Sequence, residues 1–164
     1  MQLQTVHDLF IQELQDLYSA EQQIISAMPK MIEKTSDDSL RLAFTTHLDE
    51  TKEQARRLED LCEDMDIDPH EKECTGMKGL LNESEEIMNE NEPSKALDLA
   101  LIEAAQKVEH YEIAGYGTAA NYAKQMNHTK EFEALQEILQ EEKKTDEKLT
   151  DLAESLIDET PSGM

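Results

Sequence analysis

Two carboxylates lie where a helix should place apolar side chains. Between residues 101 and 123 apolar residues recur every three or four positions, but Glu109 and Glu112 occupy two of those positions. Positions three and four apart share one face of an α-helix, because each residue turns the helix by about 100°. Both carboxylates are therefore predicted to face the core, where an unpaired charge is strongly destabilising. We expect a compensating group inside the fold.

Other helical stripes contain polar residues of the same kind, so that four long segments each contribute at least one. These candidate metal ligands are Glu21, His47, Glu50, Glu109, Glu112, Glu142 and Asp146. Hard cations such as iron and manganese ions prefer carboxylate oxygens, with imidazole as a borderline ligand. Two iron or manganese ions, bridged by carboxylates, would neutralise several buried charges at once.

Each of these residues, taken singly, has a simpler interpretation. A lone Glu21 is commonly a boundary residue that reaches solvent, a lone His47 is more often a hydrogen-bonded core histidine, and Asp146 could reach a lysine or solvent. The metal hypothesis rests on the coincidence across four segments, because the chain has only 15 Lys and Arg and none lies on the stripes. Tyr18 and Tyr116, each near an inward glutamate, are either hydrogen-bond donors to carboxylates or ordinary core aromatics.

Five helical segments are predicted to position the candidate ligands. The long amphipathic patterns cover residues 6–34, 38–64, 94–126 and 130–158. Short connections make the first two segments, and the last two, antiparallel neighbours. Residues 65–93 form a long crossover that contains a short helix at 75–89. We therefore predict one all-α domain over residues 1–164, with a frayed tail at 161–164.

Composition restricts the expected partners and location. The chain has 38 Asp and Glu against 15 Lys and Arg, a net charge of −23, which repels nucleic acid and anionic membranes. No stretch approaches the roughly 18 apolar residues of a transmembrane helix, and no signal peptide is visible. Cys62 and Cys74 form neither a Cys-x-x-Cys pair nor a disulfide framework. A cytoplasmic protein without nucleic acid or membrane partners is predicted.

Four stretches resemble the bacterial YciF/YciE stress-protein family, which belongs to the ferritin-like, rubrerythrin-related superfamily. They are residues 18–23, 47–51, 104–114 and 141–146, of which the third is the most specific. The resemblance spans nearly the whole chain. It implies a ferritin-like four-helix bundle with up-down-down-up topology and a long crossover carrying one short extra helix. It also implies a homodimer, a di-metal centre and a link to the stress response.

The resemblance also implies roles for individual residues. By position, the ferritin-like carboxylates are Glu21 on the first helix, Glu50 on the second, Glu109 and Glu112 on the third and Glu142 on the fourth. The usual pattern places a histidine three residues after a glutamate. In this chain His47 precedes Glu50 by three, Glu53 occupies the position three after Glu50, and Asp146 follows Glu142 by four. These departures predict a site that is unusually rich in carboxylates, binds weakly, or prefers manganese.

Three functions stay open from the sequence, and it does not decide whether the protein is an enzyme. The first is a stress-response protein with a carboxylate-bridged pair of iron or manganese ions, which removes peroxide or oxygen or handles metal. The second is a non-enzymatic stress or interaction bundle without bound metal, whose inward acids are protonated, hydrated or paired with lysines. The third is iron storage in a cage, for which the chain shows no evident feature.

Overall fold

The computed structural model describes residues 2–159, which form five α-helices and no strand. The helices are α1 (Val6–Lys34), α2 (Asp38–Asp64), α3 (Thr75–Glu90), α4 (Lys95–Gln125) and α5 (Thr129–Asp158). All five predicted segments are thus confirmed, with ends that differ by about one residue at most. The predicted tail at 161–164 lies outside the described residues.

Side-chain caps determine where the long helices begin. The Thr5 hydroxyl accepts a hydrogen bond from the Asp8 amide, and the Asp8 carboxylate accepts one from the Thr5 amide. Asp37 and Ser94 cap α2 and α4 by accepting from the backbone three residues further on. Each cap satisfies amide groups that have no partner within the first turn of a helix.

The four long helices form two antiparallel hairpins, α1–α2 and α4–α5, joined by the crossover. Contacts between the hairpins show that α1 also runs antiparallel to α4, and α2 to α5. The contacts that establish these directions are Asp16–Tyr111, Ser36–Asp98, Glu50–Thr145 and Asp64–Lys130. The bundle therefore has the predicted up-down-down-up topology, in which side chains from all four helices can meet at one level.

Asp98 connects the α1–α2 turn to the first turn of α4 through hydrogen bonds. Its buried carboxylate accepts hydrogen bonds from the Ser36 amide at 2.8 Å, the Ser36 hydroxyl at 2.5 Å and the Asp37 amide at 2.9 Å. A carboxylate with three donors is strongly bound at this position. This contact fixes the alignment of the two hairpins along the bundle.

The short helix α3 covers the outer face of α1 and α4. Its buried side chains include Met77 and Met88, and Glu85 pairs with Lys30 of α1 at 3.2 Å. Gly76 lies so close to the Tyr111 ring that an added Cβ would come within 2.7 Å of Cε2. The crossover thus closes one side of the bundle and leaves the α2–α5 side uncovered.

The core consists of two apolar clusters. One contains Met28, Phe44 and Leu101 from α1, α2 and α4, and the other contains Leu14 and Leu58 near the opposite end of the bundle. Some buried polar side chains, among them Glu21 and Glu112, lie at the level between the two clusters. No helix in the described part of the chain is long and apolar enough to cross a membrane.

Candidate metal centre

Four glutamates from three helices are completely buried between the two apolar clusters. Glu21 comes from α1, Glu109 and Glu112 from α4, and Glu142 from α5, and each has 0% exposed surface. Oxygen atoms of Glu21, Glu112 and Glu142 all lie within 4.8 Å of one another. We call these four residues the glutamate layer. Their inward orientation is the one that the helical spacing predicts.

Side chains of a histidine and a tyrosine contact the glutamate layer directly. His47 of α2 is 5% exposed, and its Nε2 lies 2.8 Å from Glu109 Oε1. The buried Tyr116 hydroxyl donates a hydrogen bond to Glu21 Oε1. Of the two tyrosines considered from the sequence, Tyr116 is thus a donor to the layer, whereas Tyr18 packs edge-on against His70.

Burial raises the pKa of every carboxyl group in the layer. Desolvation is the largest cause, and the charge of Glu142 adds to it for Glu21, whose pKa rises to about 8. The pKa of Glu109 rises to about 7, and those of Glu112 and Glu142 rise well above the ordinary value. Glu21 interacts directly with Glu112, and Glu109 with Glu142. Such contacts require a shared proton or a cation between the paired groups.

Most oxygens of the layer have no hydrogen-bond donor. Glu21 Oε2, Glu109 Oε2 and both oxygens of Glu112 and Glu142 accept no bond from any described residue. Buried polar atoms are ordinarily paired, and within residues 2–159 no lysine or arginine forms an ion pair with these four glutamates. Unpaired carboxylate oxygens are the ligands that iron and manganese ions prefer. This set of ligands therefore fits a pair of such ions.

Glu50 is not part of the buried layer, which corrects its predicted orientation. Its side chain is exposed, with Oε2 at 3.5 Å from Thr145 Oγ1 of α5. The buried positions of α2 run through His47, Thr51 and Gln54, so the small Thr51 occupies the inward position beside it. Binding of a metal ion by Glu50 stays a prediction.

Asp146 lies at the partly exposed edge of the predicted α5 stripe. Its side chain is 19% exposed and lies 3.1 Å from His110 Nε2 and 3.3 Å from Gln106 Nε2, both on α4. The Asp146 charge is close enough to help raise the pKa of Glu109, after desolvation and the charge of Glu21. Asp146 therefore lies at the edge of the layer, where its role as a ligand stays a prediction.

Gln54 is a site residue that the sequence-based selection missed. It is 1% exposed, its Nε2 donates to Glu141 Oε2 at 3.1 Å, and Oε1 has no donor. Burial raises the pKa of Glu142, and the neighbouring Gln54 amide opposes that rise. Arg57 forms an ion pair with the same carboxylate, with its Nη2 at 2.5 Å from Glu141 Oε2. A polar amide seven residues after His47 on the same stripe was the available signal.

The fold and the buried glutamate layer define the class of protein, an all-α ferritin-like helical bundle. Residues 5–161 match the protein family described as a domain of unknown function, DUF892. Protein YciF of Escherichia coli strain K12 is 45% identical over 154 residues, which is 93% of each chain. The chain belongs to this family, so the predicted relationship to YciF is confirmed.

Two solved structures are similar to this chain over nearly its whole length. The crystal structure of the E. coli stress protein YciF has a TM-score of 0.92 and 43% identity, and the match covers 96% of this chain and 100% of that one. YcfI from Rhodopseudomonas palustris has a TM-score of 0.85 and 39% identity, with 90% of this chain and 94% of that one covered. These similarities confirm the predicted fold class.

Proposed function

We propose that this protein binds two iron or manganese ions in the glutamate layer and acts in the stress response. The observation that supports metal binding is the burial of four glutamates, most of whose oxygens lack a hydrogen-bond donor. Within residues 2–159 no lysine or arginine forms an ion pair with them. The stress role is supported by the likeness to YciF, which is described as a stress protein. Peroxide or oxygen removal, or metal handling, is the proposed chemistry.

The layer offers two adjacent groups of ligands. Glu21, Glu112 and Glu142 offer three oxygens to one ion, and Glu109 with His47 offers an oxygen and a nitrogen to a second. Glu50 and Asp146 are additional candidate ligands at the edge. Bound iron or manganese would supply Lewis acidity and redox reactivity towards peroxide or oxygen.

The surrounding residues prepare the ligands and exclude water. Tyr116 occupies one oxygen of Glu21 and leaves Oε2 free, and His47 contacts only one oxygen of Glu109. Gln54 opposes the rise in the pKa of Glu142 and so favours its ionised, metal-binding form. The apolar clusters on both sides keep bulk solvent away from the layer, which strengthens electrostatic attraction to a cation.

A bundle without metal is the second candidate function, and one observation favours it. The raised pKa values and the paired contacts Glu21–Glu112 and Glu109–Glu142 are compatible with carboxyl groups that share protons. In that case the layer would be neutralised by protons, and the protein would act through its surface.

Metal analysis of purified protein separates these candidates. Protein purified without chelator should contain about two iron or manganese ions per chain, and a Glu112→Gln variant should lose them. Glu103→Gln, an exposed substitution on the same helix, is the matched control and should keep them. Chelator should lower the melting temperature and anaerobic ferrous iron or manganese should restore it, because a ligand that binds only the folded state stabilises it. Absence of metal together with an unchanged melting temperature would favour the metal-free bundle.

We also propose that the chain forms a homodimer, as the family resemblance implies. Light scattering should then give twice the chain mass of 18.7 kDa, whereas a far larger particle would indicate a storage cage. The cytoplasmic location and the lack of nucleic acid and membrane partners stay predictions from composition. Retention on a heparin or anionic lipid matrix at low salt would contradict the predicted lack of these partners.

A further inference from the structure

A cleft of about 290 Å³ lies between α2 and α5, next to the glutamate layer. His47 lines its buried side, and Phe44 and Leu149 supply an apolar wall. Lys144 and Lys148, which are both exposed, also line the cleft. The cleft is therefore amphipathic, with an apolar surface beside two cations.

The two lysines of the cleft have no partner in the described part of the chain. No ion pair or hydrogen bond involves Lys144 or Lys148, although the chain contains 38 acidic residues and only 15 Lys and Arg. They are four apart on α5 and so share one face of the helix, where like charges repel each other. An anion placed between them would relieve that repulsion.

The acids that border the cleft differ in how far they are neutralised. Glu141 is held by Arg57 at 2.5 Å, so its charge is offset. Glu50 has only the 3.5 Å contact with Thr145 Oγ1 and points towards solvent. On the buried side, His47 Nδ1 has no partner although the side chain is only 5% exposed. A polar atom that is buried and unpaired calls for a ligand or water.

We propose that this cleft binds a small organic anion, with its carboxylate between Lys144 and Lys148 and a short apolar body against Phe44 and Leu149. The site goes beyond the proposed metal centre and does not require metal. It adjoins that centre through His47, so a bound acid would lie next to the glutamate layer.

Hexanoate is a suitable probe, and hexanamide is its neutral counterpart of nearly the same shape. Each is titrated into chelator-treated, ¹⁵N-labelled protein at low ionic strength, because salt screens exposed lysines. Hexanoate should shift the amide signals of α2 near Phe44 and of α5 near Lys148. Its affinity should exceed that of hexanamide by at least about tenfold.

Substitutions at the cleft provide the decisive comparison. The double variant Lys144→Met, Lys148→Met keeps the aliphatic stems and should weaken hexanoate binding at least about tenfold. Lys143→Met removes a neighbouring charge that does not line the cleft, and should change the affinity by less than about twofold. Glu50→Gln should tighten hexanoate binding, because it removes the acid that no cation offsets.

The proposal is overturned if hexanoate and hexanamide bind equally, if neither shifts the spectrum at about 20 mM, or if the double variant binds hexanoate as tightly as the wild type. The metal content of the double variant, measured in parallel, should match the wild type. Loss of the anion site and loss of the metal centre are therefore distinguishable, since each is measured without the other.

Discussion

Replacing Glu109 with glutamine should stabilise the metal-free protein at alkaline pH. Burial raises the pKa of Glu109 from 4.5 to about 7. The folded state therefore binds this proton more tightly than the unfolded chain, and stability falls as the pH rises from 4.5 through 7. The gap of about 2.5 between these pKa values corresponds to about 3 kcal/mol once the pH exceeds 7.

Glutamine removes this penalty without changing the shape of the side chain. Its Oε1 can accept from His47 Nε2, and its Nε2 can donate to Glu142, the groups that now contact Glu109. We expect the free energy of unfolding to rise by about 1–3 kcal/mol at pH 8.5 and to change little at pH 5, where the folded wild type already holds the proton. The same variant should lose any stabilisation by added iron or manganese.

Urea unfolding in the presence of chelator, at both pH values, measures this difference. Glu103→Gln is the control, because Glu103 lies on the same helix, is 69% exposed and pairs with Lys107 at 2.9 Å. It removes one charge from a chain of net charge −23 without altering the buried layer. A similar gain in both variants would mean that general charge repulsion is relieved, and a less stable Glu109→Gln at pH 8.5 would refute the burial argument.

Four further substitutions test the packing of the bundle by urea unfolding. Tyr116→Phe should destabilise the metal-free protein by about 1–2 kcal/mol, because Glu21 loses its hydroxyl donor; an unchanged midpoint would show that this bond is not formed. Asp98→Ala should destabilise by about 2–4 kcal/mol, because three donors in the α1–α2 turn lose their acceptor; a loss below about 0.5 kcal/mol would contradict its structural role. Gly115→Ala places a Cβ 2.7 Å from Leu17 Cδ2 of α1 and should lower the free energy of unfolding by about 1–3 kcal/mol. Gly79→Ala, with nothing within 4 Å, should instead stabilise α3 by up to about 1 kcal/mol.

The helices and most of the buried acids were predictable because local signals agree with the global fold. Caps at Thr5 and Ser94 and sustained apolar spacing predict the helix ends nearly correctly. The same spacing predicts the burial of Glu109 and Glu112, because both share a stripe with apolar residues such as Leu101 and Ala119. All four side chains are buried. Each of these inferences uses residues on a single helix.

The side-chain orientations and contacts that the sequence did not predict depend on how neighbouring helices are rotated. Glu50 and Thr51 are 100° apart on α2, and spacing alone does not decide which of them faces inward. Asp146 falls on the stripe of α5 but meets His110 and Gln106, which belong to another helix. The role of Gln54 likewise depends on a residue 87 positions away, Glu141. Contacts of this kind follow from the packing of the bundle, and the spacing within one helix does not identify the partner residue.

Stability alone does not account for four glutamates in the middle of this core. Apolar side chains of similar volume would be neutral or more stabilising than a buried set of charges, so protons or cations must belong to the folded state at neutral pH. The stabilities expected for a layer with protons and for a layer with cations differ most at pH 8.5, because the pKa of Glu21 is about 8 and that of Glu109 about 7. A layer held by shared protons must lose stability as the pH rises from 5 to 8.5, with or without chelator. A layer filled by iron or manganese must resist that loss until chelator is added, because metal binding favours the ionised carboxylates.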